Sequence, residues 1–140
     1  MYNRIVVPVD GSPQAFKALE HAIKLAQTLS SDIRLIVIHV NASFALNEPI
    51  FGTELDHHIA AEDKQVLDAA VSKLKAAGVL FQAIHQTGDP ATIICDTAAD
   101  NLADLIVMGS RGLGLVKEML LGSVSHAVAQ HAPCPVLLLK

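Results

Sequence analysis

A chain of 140 residues with 51% apolar and 17% charged side chains can bury one core, is too short for two comfortable ones, and lacks the composition of a disordered segment. Its ten Lys and Arg against 14 Asp and Glu give a net charge of −4, and the cations are scattered rather than drawn into a stripe, which argues against DNA or RNA as a partner. The opening Met1-Tyr2-Asn3-Arg4-Ile5 lacks the apolar centre of a secretion signal, no apolar run approaches the ~20 residues of a membrane span, and Cys95 and Cys134 have neither zinc-site spacing nor the number of a disulfide framework. The expectation is one domain over residues 1–140, kept in the reducing cytoplasm and away from membranes.

Ile5-Val6-Val7-Pro8-Val9 is a short β-branched run ended by Asp10-Gly11-Ser12-Pro13, in which Ser12 is placed to cap a helix whose first residue is proline. In that helix Ala18, Leu19, Ala22, Ile23, Ala26 and Leu29 recur at three- and four-residue steps, the stripe of a helix lying on a sheet, and Ser30-Ser31 ends it. Ile33 to Val40 is a second, nearly continuous apolar strand of the kind buried on both faces of a parallel sheet. Asn41 to Thr53 is irregular but carries Phe44, Ile50 and Phe51, so it is expected to pack on something, in the manner of a lid.

Glu54 to Ala77 carries a long helical pattern stopped at Gly78, and Val79 to Gln86 resembles a third strand. Gly88-Asp89-Pro90 repeats the earlier device, with Asp89 as cap and Pro90 opening a helix that runs to about Asn101. Leu105 to Met108 is a fourth strand, a glycine-rich loop follows from Gly109, a helix spans about Gly122 to His131, and Pro135 to Leu139 is the last strand. Five strands alternating with four helices specify an α/β, doubly wound parallel sheet with helices on both faces. With strand order 3-2-1-4-5, the point where the order reverses lies between the first and fourth strands, and a ligand belongs in the crevice beyond their C-terminal ends.

Two segments face that crevice. Gly109-Ser110-Arg111-Gly112-Leu113-Gly114 leaves a strand, and Gly122-Ser123-Val124-Ser125 opens a helix. Glycines permit close approach of the backbone, and the first turn of a helix offers unpaired N–H groups at a positive dipole end, so phosphate is the natural guest. The hydroxyls of Ser123 and Ser125 are candidate extra donors, and Arg111 is either a phosphate contact or a solvated loop charge. Two familiar phosphate loops are excluded: Leu115 and Val116 stand where a Walker loop needs Lys and Ser or Thr, and Lys117 stands where a dinucleotide fingerprint needs its third glycine.

The pattern that does fit, Gly109-x2-Gly112-x9-Gly122-Ser123, resembles the ATP-binding signature of the nucleotide-binding branch of the universal stress protein family. The likeness covers the whole chain. Ile5 to Ser12 is similar to the family's opening strand and turn, His39-Val40 to the end of its second strand, and Pro133-Cys134-Pro135-Val136 to its closing strand. The resemblance implies an adenine nucleotide alpha hydrolase-like fold, with Pro8, Asp10 and Val40 around adenine and ribose, Val40 through its backbone. It further implies that the phosphates of ATP, or of ADP or AMP, meet Gly109, Ser110, Arg111, Gly112, Leu113, Gly114 and Leu115, then Gly122, Ser123, Val124 and Ser125. A magnesium or manganese ion would bridge the phosphates without a protein cage of its own. A homodimer is implied as well, and the apolar last strand, at an edge in the proposed order, is the surface that would pair with a second copy.

Other residues are read more plainly. Asp10 is also placed to be an ordinary turn residue before Gly11. Asp56, His57, His58 and Glu62 form the cluster most like metal ligands, but a solvated helix face explains them. Ser125 and His126 are adjacent on a helix and diverge, so they make no nucleophile–base pair. Cys95 is expected to face the core from its helix, and Cys134 to sit at the mouth of the last strand, without the features of redox sensors. The residues favour binding over turnover, and with the resemblance this implies a nucleotide-dependent stress-response regulator, with a slow ATPase or phosphoryl-transfer enzyme as the alternative use of the same site.

Overall fold

The structure, a computed structural model, describes residues 2–42, 61–110 and 122–140. Within them strands and helices alternate: β1 (Arg4–Pro8), α1 (Pro13–Leu29), β2 (Arg34–Asn41), α2 (Ala61–Ala77), β3 (Leu80–Thr87), α3 (Pro90–Asp100), β4 (Leu105–Gly109), α4 (Ser123–His131) and β5 (Val136–Leu139). All strand pairs are parallel, in the order β3-β2-β1-β4-β5 expected from the sequence. The start of the expected second long helix (residues 54–60), most of the loop at 41–53 and the glycine-rich loop at 111–115 lie outside the described residues.

Strand boundaries shift by a residue where pairing continues past the regular ladder. Val9 lies just beyond β1, yet its N–H donates to the Ile38 carbonyl at 2.9 Å; Pro135 lies just before β5, yet its carbonyl accepts from Ile106 N–H at 2.9 Å.

The central strands are apolar without interruption because each face meets helices. Ile5 and Val7 of β1, Leu35 and Val37 of β2, and Leu105 and Val107 of β4 belong to one core with Leu19 and Ile23 of α1 and Leu74 of α2. Their neighbours Val6, Ile36, Ile38, Ile106 and Met108 point the other way, onto Ile94 of α3 and Val128 of α4. A fully buried side chain of this size contributes roughly 1.5–3 kcal/mol, so the two layers are the main support of the sheet. Cys95 and Cys134 pack against the second of them.

The helix starts follow the sequence. The Ser12 hydroxyl oxygen accepts from Ala15 N–H at 3.1 Å with Pro13 in the first turn, and Asp89 Oδ2 accepts from Thr92 N–H at 3.0 Å and from its hydroxyl at 2.7 Å with Pro90 in the first turn. Gly78, at φ +70°, ends α2 in the left-handed conformation that glycine adopts without strain. No helix among the described residues is long and apolar enough to cross a membrane.

Candidate nucleotide crevice and a buried histidine–aspartate cluster

Because the strands are parallel, their C-terminal ends share one edge of the sheet, and strand order reverses between β1 and β4. Pro8 closes β1 and Asp10 follows it. β2 outruns β1: its last rung with β1 pairs Pro8 with Ile38, whereas its ladder with β3 continues to Asn41 opposite Thr87. Val40 therefore stands past the end of β1, half-buried against the second core. Gly109 and Ser110, both buried, end β4 on the other side. The fold thus brings Pro8, Asp10, Val40, Gly109 and Ser110 to one edge.

The start of α4 is fastened to the same edge. Gly122 N–H donates to the Ser110 carbonyl at 2.7 Å, and Ser110 N–H donates to the Leu139 carbonyl at 2.7 Å, extending the β4–β5 ladder. The Ser125 hydroxyl donates to the Ser110 carbonyl at 2.6 Å, and its side chain is buried. A hydroxyl has one proton to give, and here the Ser110 carbonyl takes it, so the Ser125 hydroxyl is not the free donor that its sequence position suggests. Ser123 is exposed at the first helical position, and Gly122 provides no side-chain cap. Arg111, Gly112, Leu113, Gly114 and Leu115 lie outside the described residues.

Asp10 serves the turn reading directly: its Oδ1 accepts from Ser12 N–H at 2.9 Å, closing an Asx turn that positions the start of α1. Gly109 has a packing role of its own. A Cβ there would lie 2.8 Å from the Cβ of Gln14 and 3.0 Å from its carbonyl carbon, so only glycine lets the end of β4 meet the first turn of α1 so closely.

Immediately beneath this edge lies a polar cluster that the sequence analysis did not single out. His39 and Asn41 of β2 share the face that carries Leu35 and Val37, and His85 of β3 is directly opposite His39 in the parallel register. Asp63, on the same buried stripe of α2 as Ala70 and Leu74, meets all three. His39 Nδ1 donates to the Val9 carbonyl at 2.8 Å and its Nε2 donates to Asp63 Oδ1 at 2.6 Å, while Asn41 Nδ2 donates to Asp63 Oδ2 at 2.6 Å. A backbone carbonyl only accepts, so Nδ1 carries a proton toward Val9, and a further proton lies between His39 Nε2 and Asp63 Oδ1.

Burial alone would raise the Asp63 carboxyl, but the hydrogen bonds from His39 and Asn41 and the positive charge of the rings outweigh it and hold Asp63 below the usual carboxylate range. His85 Nε2 stands 3.6 Å from Asp63 Oδ2, too far for a hydrogen bond, and is buried without a hydrogen-bond partner.

The signal for this cluster was present: His39 and Asn41, two apart in a strand otherwise apolar on both faces, needed buried partners. What the sequence could not supply was Asp63, which α2 brings from 24 positions away. Of the ligand-like residues weighed from the sequence, Asp56, His57 and His58 lie outside the described residues.

The Usp model, described as the universal stress protein family, matches residues 1–140. The chain is 34% identical to the universal stress protein YxiE of Bacillus subtilis, with 100% of each chain covered. Among solved structures it superposes on protein MJ0577 with a TM-score of 0.85 and 33% identity, over 100% of this chain and 96% of that one. A universal stress protein in complex with cAMP is similar at 26% identity and TM-score 0.76, over 99% and 97%. An Arabidopsis thaliana family member with AMP bound is similar at 26% identity and TM-score 0.69, over 99% and 90%. With the expected fold, the switch-point crevice and a family match over its full length, this chain belongs to the universal stress protein family.

Proposed function

We propose that the chain binds ATP in the crevice between the C-terminal ends of β1 and β4 and acts as a nucleotide-dependent regulator in the stress response. The observation that carries this is the start of α4. Gly122 leaves its first turn without a side-chain cap, while the Gly122 N–H and the Ser125 hydroxyl pin that turn beside Ser110 at the end of β4. The N–H groups of Ser123, Val124 and Ser125 belong to the first turn, which has no intrahelical partner for them and forms the positive end of the helix, the arrangement that receives phosphate, and the exposed Ser123 hydroxyl adds a donor.

In this account Pro8 and the Val40 backbone hold adenine, the Asp10 carboxylate receives the ribose hydroxyls, and Gly109 through Leu115 close over the phosphates. The related proteins in complex with cAMP and with AMP support an adenine nucleotide as the ligand. The described donors at the crevice are amides and hydroxyls beside one carboxylate already engaged by Ser12 N–H. That set suits phosphate and makes no cage for a divalent ion, so magnesium or manganese would be carried by the phosphates.

Among the described crevice residues the base available to an attacking water is Asp10, whose Oδ1 is held in the Asx turn, so binding rather than hydrolysis is the leading role. β5 has a parallel partner on one side, β4, and its four residues are half-buried in the isolated chain. Pairing its free side with the same strand of a second copy would make a homodimer. The free thiols of Cys95 and Cys134 accord with a cytoplasmic setting. Calorimetric titration with ATP, ADP, AMP and cAMP in the presence of magnesium tests the ligand: saturable binding of ATP is expected, and absence of binding by all four overturns the proposal.

A further inference from the structure

The buried cluster beneath the crevice has the makings of a metal centre. His39, Asp63 and His85 each offer one ligand atom, and these atoms all lie within 4.8 Å of one another. They come from β2, α2 and β3, so the site is assembled by the fold and not by a single helix face. Two imidazole nitrogens and one carboxylate oxygen form a donor set suited to zinc and its first-row neighbours, and poorly suited to magnesium or calcium, which favour oxygen.

The surroundings favour the same conclusion. A ligating histidine characteristically donates its other ring N–H to a backbone carbonyl or carboxylate, and a ligating carboxylate is itself hydrogen-bonded. Both braces are present: His39 Nδ1 is held by the Val9 carbonyl at 2.8 Å, which directs Nε2 at Asp63, and Asn41 Nδ2 holds Asp63 Oδ2 at 2.6 Å. The buried Nε2 of His85 has no hydrogen-bond partner and lies 3.6 Å from the same carboxylate. An unpartnered buried nitrogen is costly, and a cation between it and Asp63 removes the cost.

We propose that His39 Nε2, Asp63 and His85 Nε2 bind one zinc ion, with water as the fourth ligand, in place of the proton now shared between His39 and Asp63. The exchange balances: zinc enters, the proton between His39 Nε2 and Asp63 Oδ1 leaves to solvent, His85 binds through an unprotonated Nε2, and His39 keeps its Nδ1–H on Val9. The present 2.6 Å separation of His39 Nε2 and Asp63 Oδ1 is that of a hydrogen bond. Zinc–ligand bonds of about 2.0–2.1 Å in a tetrahedron put neighbouring ligand atoms roughly 3.3 Å apart, so the pair must spread by under about 1 Å. The ligand atoms, which lie within 4.8 Å of one another, must come to that same spacing, so the His85 ring has to turn toward the pair as α2 shifts slightly against the sheet. The ion would lie across the His39 ring from the Val9 carbonyl and would tie α2 to β2 and β3.

The test uses the full chain after chelator treatment, with no nucleotide present, and zinc chloride as the titrant. One equivalent of zinc per chain is expected to bind, with release of a proton read from the heat difference between buffers of unlike ionisation enthalpy. His85→Gln should weaken binding by at least about tenfold, since even changes in the residues behind a metal's ligands have effects of that size. The exposed His131 at the end of α4 serves as control, and His131→Gln should bind as the unaltered chain does. Cobalt(II) in place of zinc should give the intense visible absorption of a four-coordinate site, lost in His85→Gln. Absence of zinc binding, or binding equal in His85→Gln and the unaltered chain, overturns the proposal.

Discussion

The Ser125 hydroxyl donates to the Ser110 carbonyl at 2.6 Å and so fastens the first turn of α4 to the end of β4. The two elements that share the proposed phosphate seat are thereby fixed to each other, which is the pre-organisation that anion binding at a helix start requires. Ser125→Ala removes this tie, while Gly122 N–H still satisfies the Ser110 carbonyl. The expected loss is about 1 kcal/mol of stability, measured by urea unfolding, together with weaker nucleotide binding. Ser123→Ala, at an exposed position, should leave stability within about 0.5 kcal/mol of the original and lower only the affinity.

Gly109 and Gly122 should respond oppositely to substitution. An alanine at 109 places its Cβ 2.8 Å from Gln14 Cβ and 3.0 Å from a backbone carbon, so α1 or β4 has to move. A destabilisation of about 1–3 kcal/mol is expected for Gly109→Ala, the range of overpacked cores. Gly122, at φ −72°, has a backbone conformation open to any residue, and its replacement should leave the melting temperature close to the original.

Most of the fold was readable because local chemistry and long-range packing agree in it. Ser12-Pro13 and Asp89-Pro90 announce helix starts by mechanism, and the unbroken apolar runs at Ile5 and Ile33 imply a sheet covered on both faces. The crevice was readable in outline, since topology alone places the ends of β1 and β4 together. Two features were not. The Ser125 hydroxyl looked available until its partner, the Ser110 carbonyl 15 positions away, was placed against it. The cluster of His39, Asp63 and His85 depends on the β2–β3 register and on the docking of α2, neither of which leaves a mark on spacing along the chain.

Acid should weaken the start of α3 in a defined sense. Hydrogen bonds from the Thr92 side chain and backbone hold the Asp89 carboxyl below its ordinary value of 3.8. The folded group is the stronger acid, so its contribution is complete above the unfolded value and is lost as pH falls through the lower folded one. Asp89→Ala should therefore cost about 0.5–2 kcal/mol at neutral pH, and the gap between the two proteins should close only below about pH 4. Thermal unfolding across that range measures it, and a gap unchanged at the acid end would refute the assignment.

The two thiols should be slow to react. Burial, aided by nearby Asp96, pushes Cys95 above the ordinary thiol range, and burial with the charge of Asp104 does the same for Cys134. The thiolate is the reactive form, so alkylation by iodoacetamide at neutral pH should run well below the rate of an unhindered thiol and recover in denaturant. Fast labelling of either cysteine in the folded chain would reopen a redox role.

The account rests most on the phosphate seat at the start of α4, and calorimetric titration of ATP into the unaltered chain and into Gly122→Trp, with circular dichroism to confirm both folds, tests it most directly. Saturable binding at one equivalent per chain, lost in the folded Gly122→Trp variant, is the predicted result. Equal affinity in the two proteins, or no binding by the unaltered chain, would contradict it.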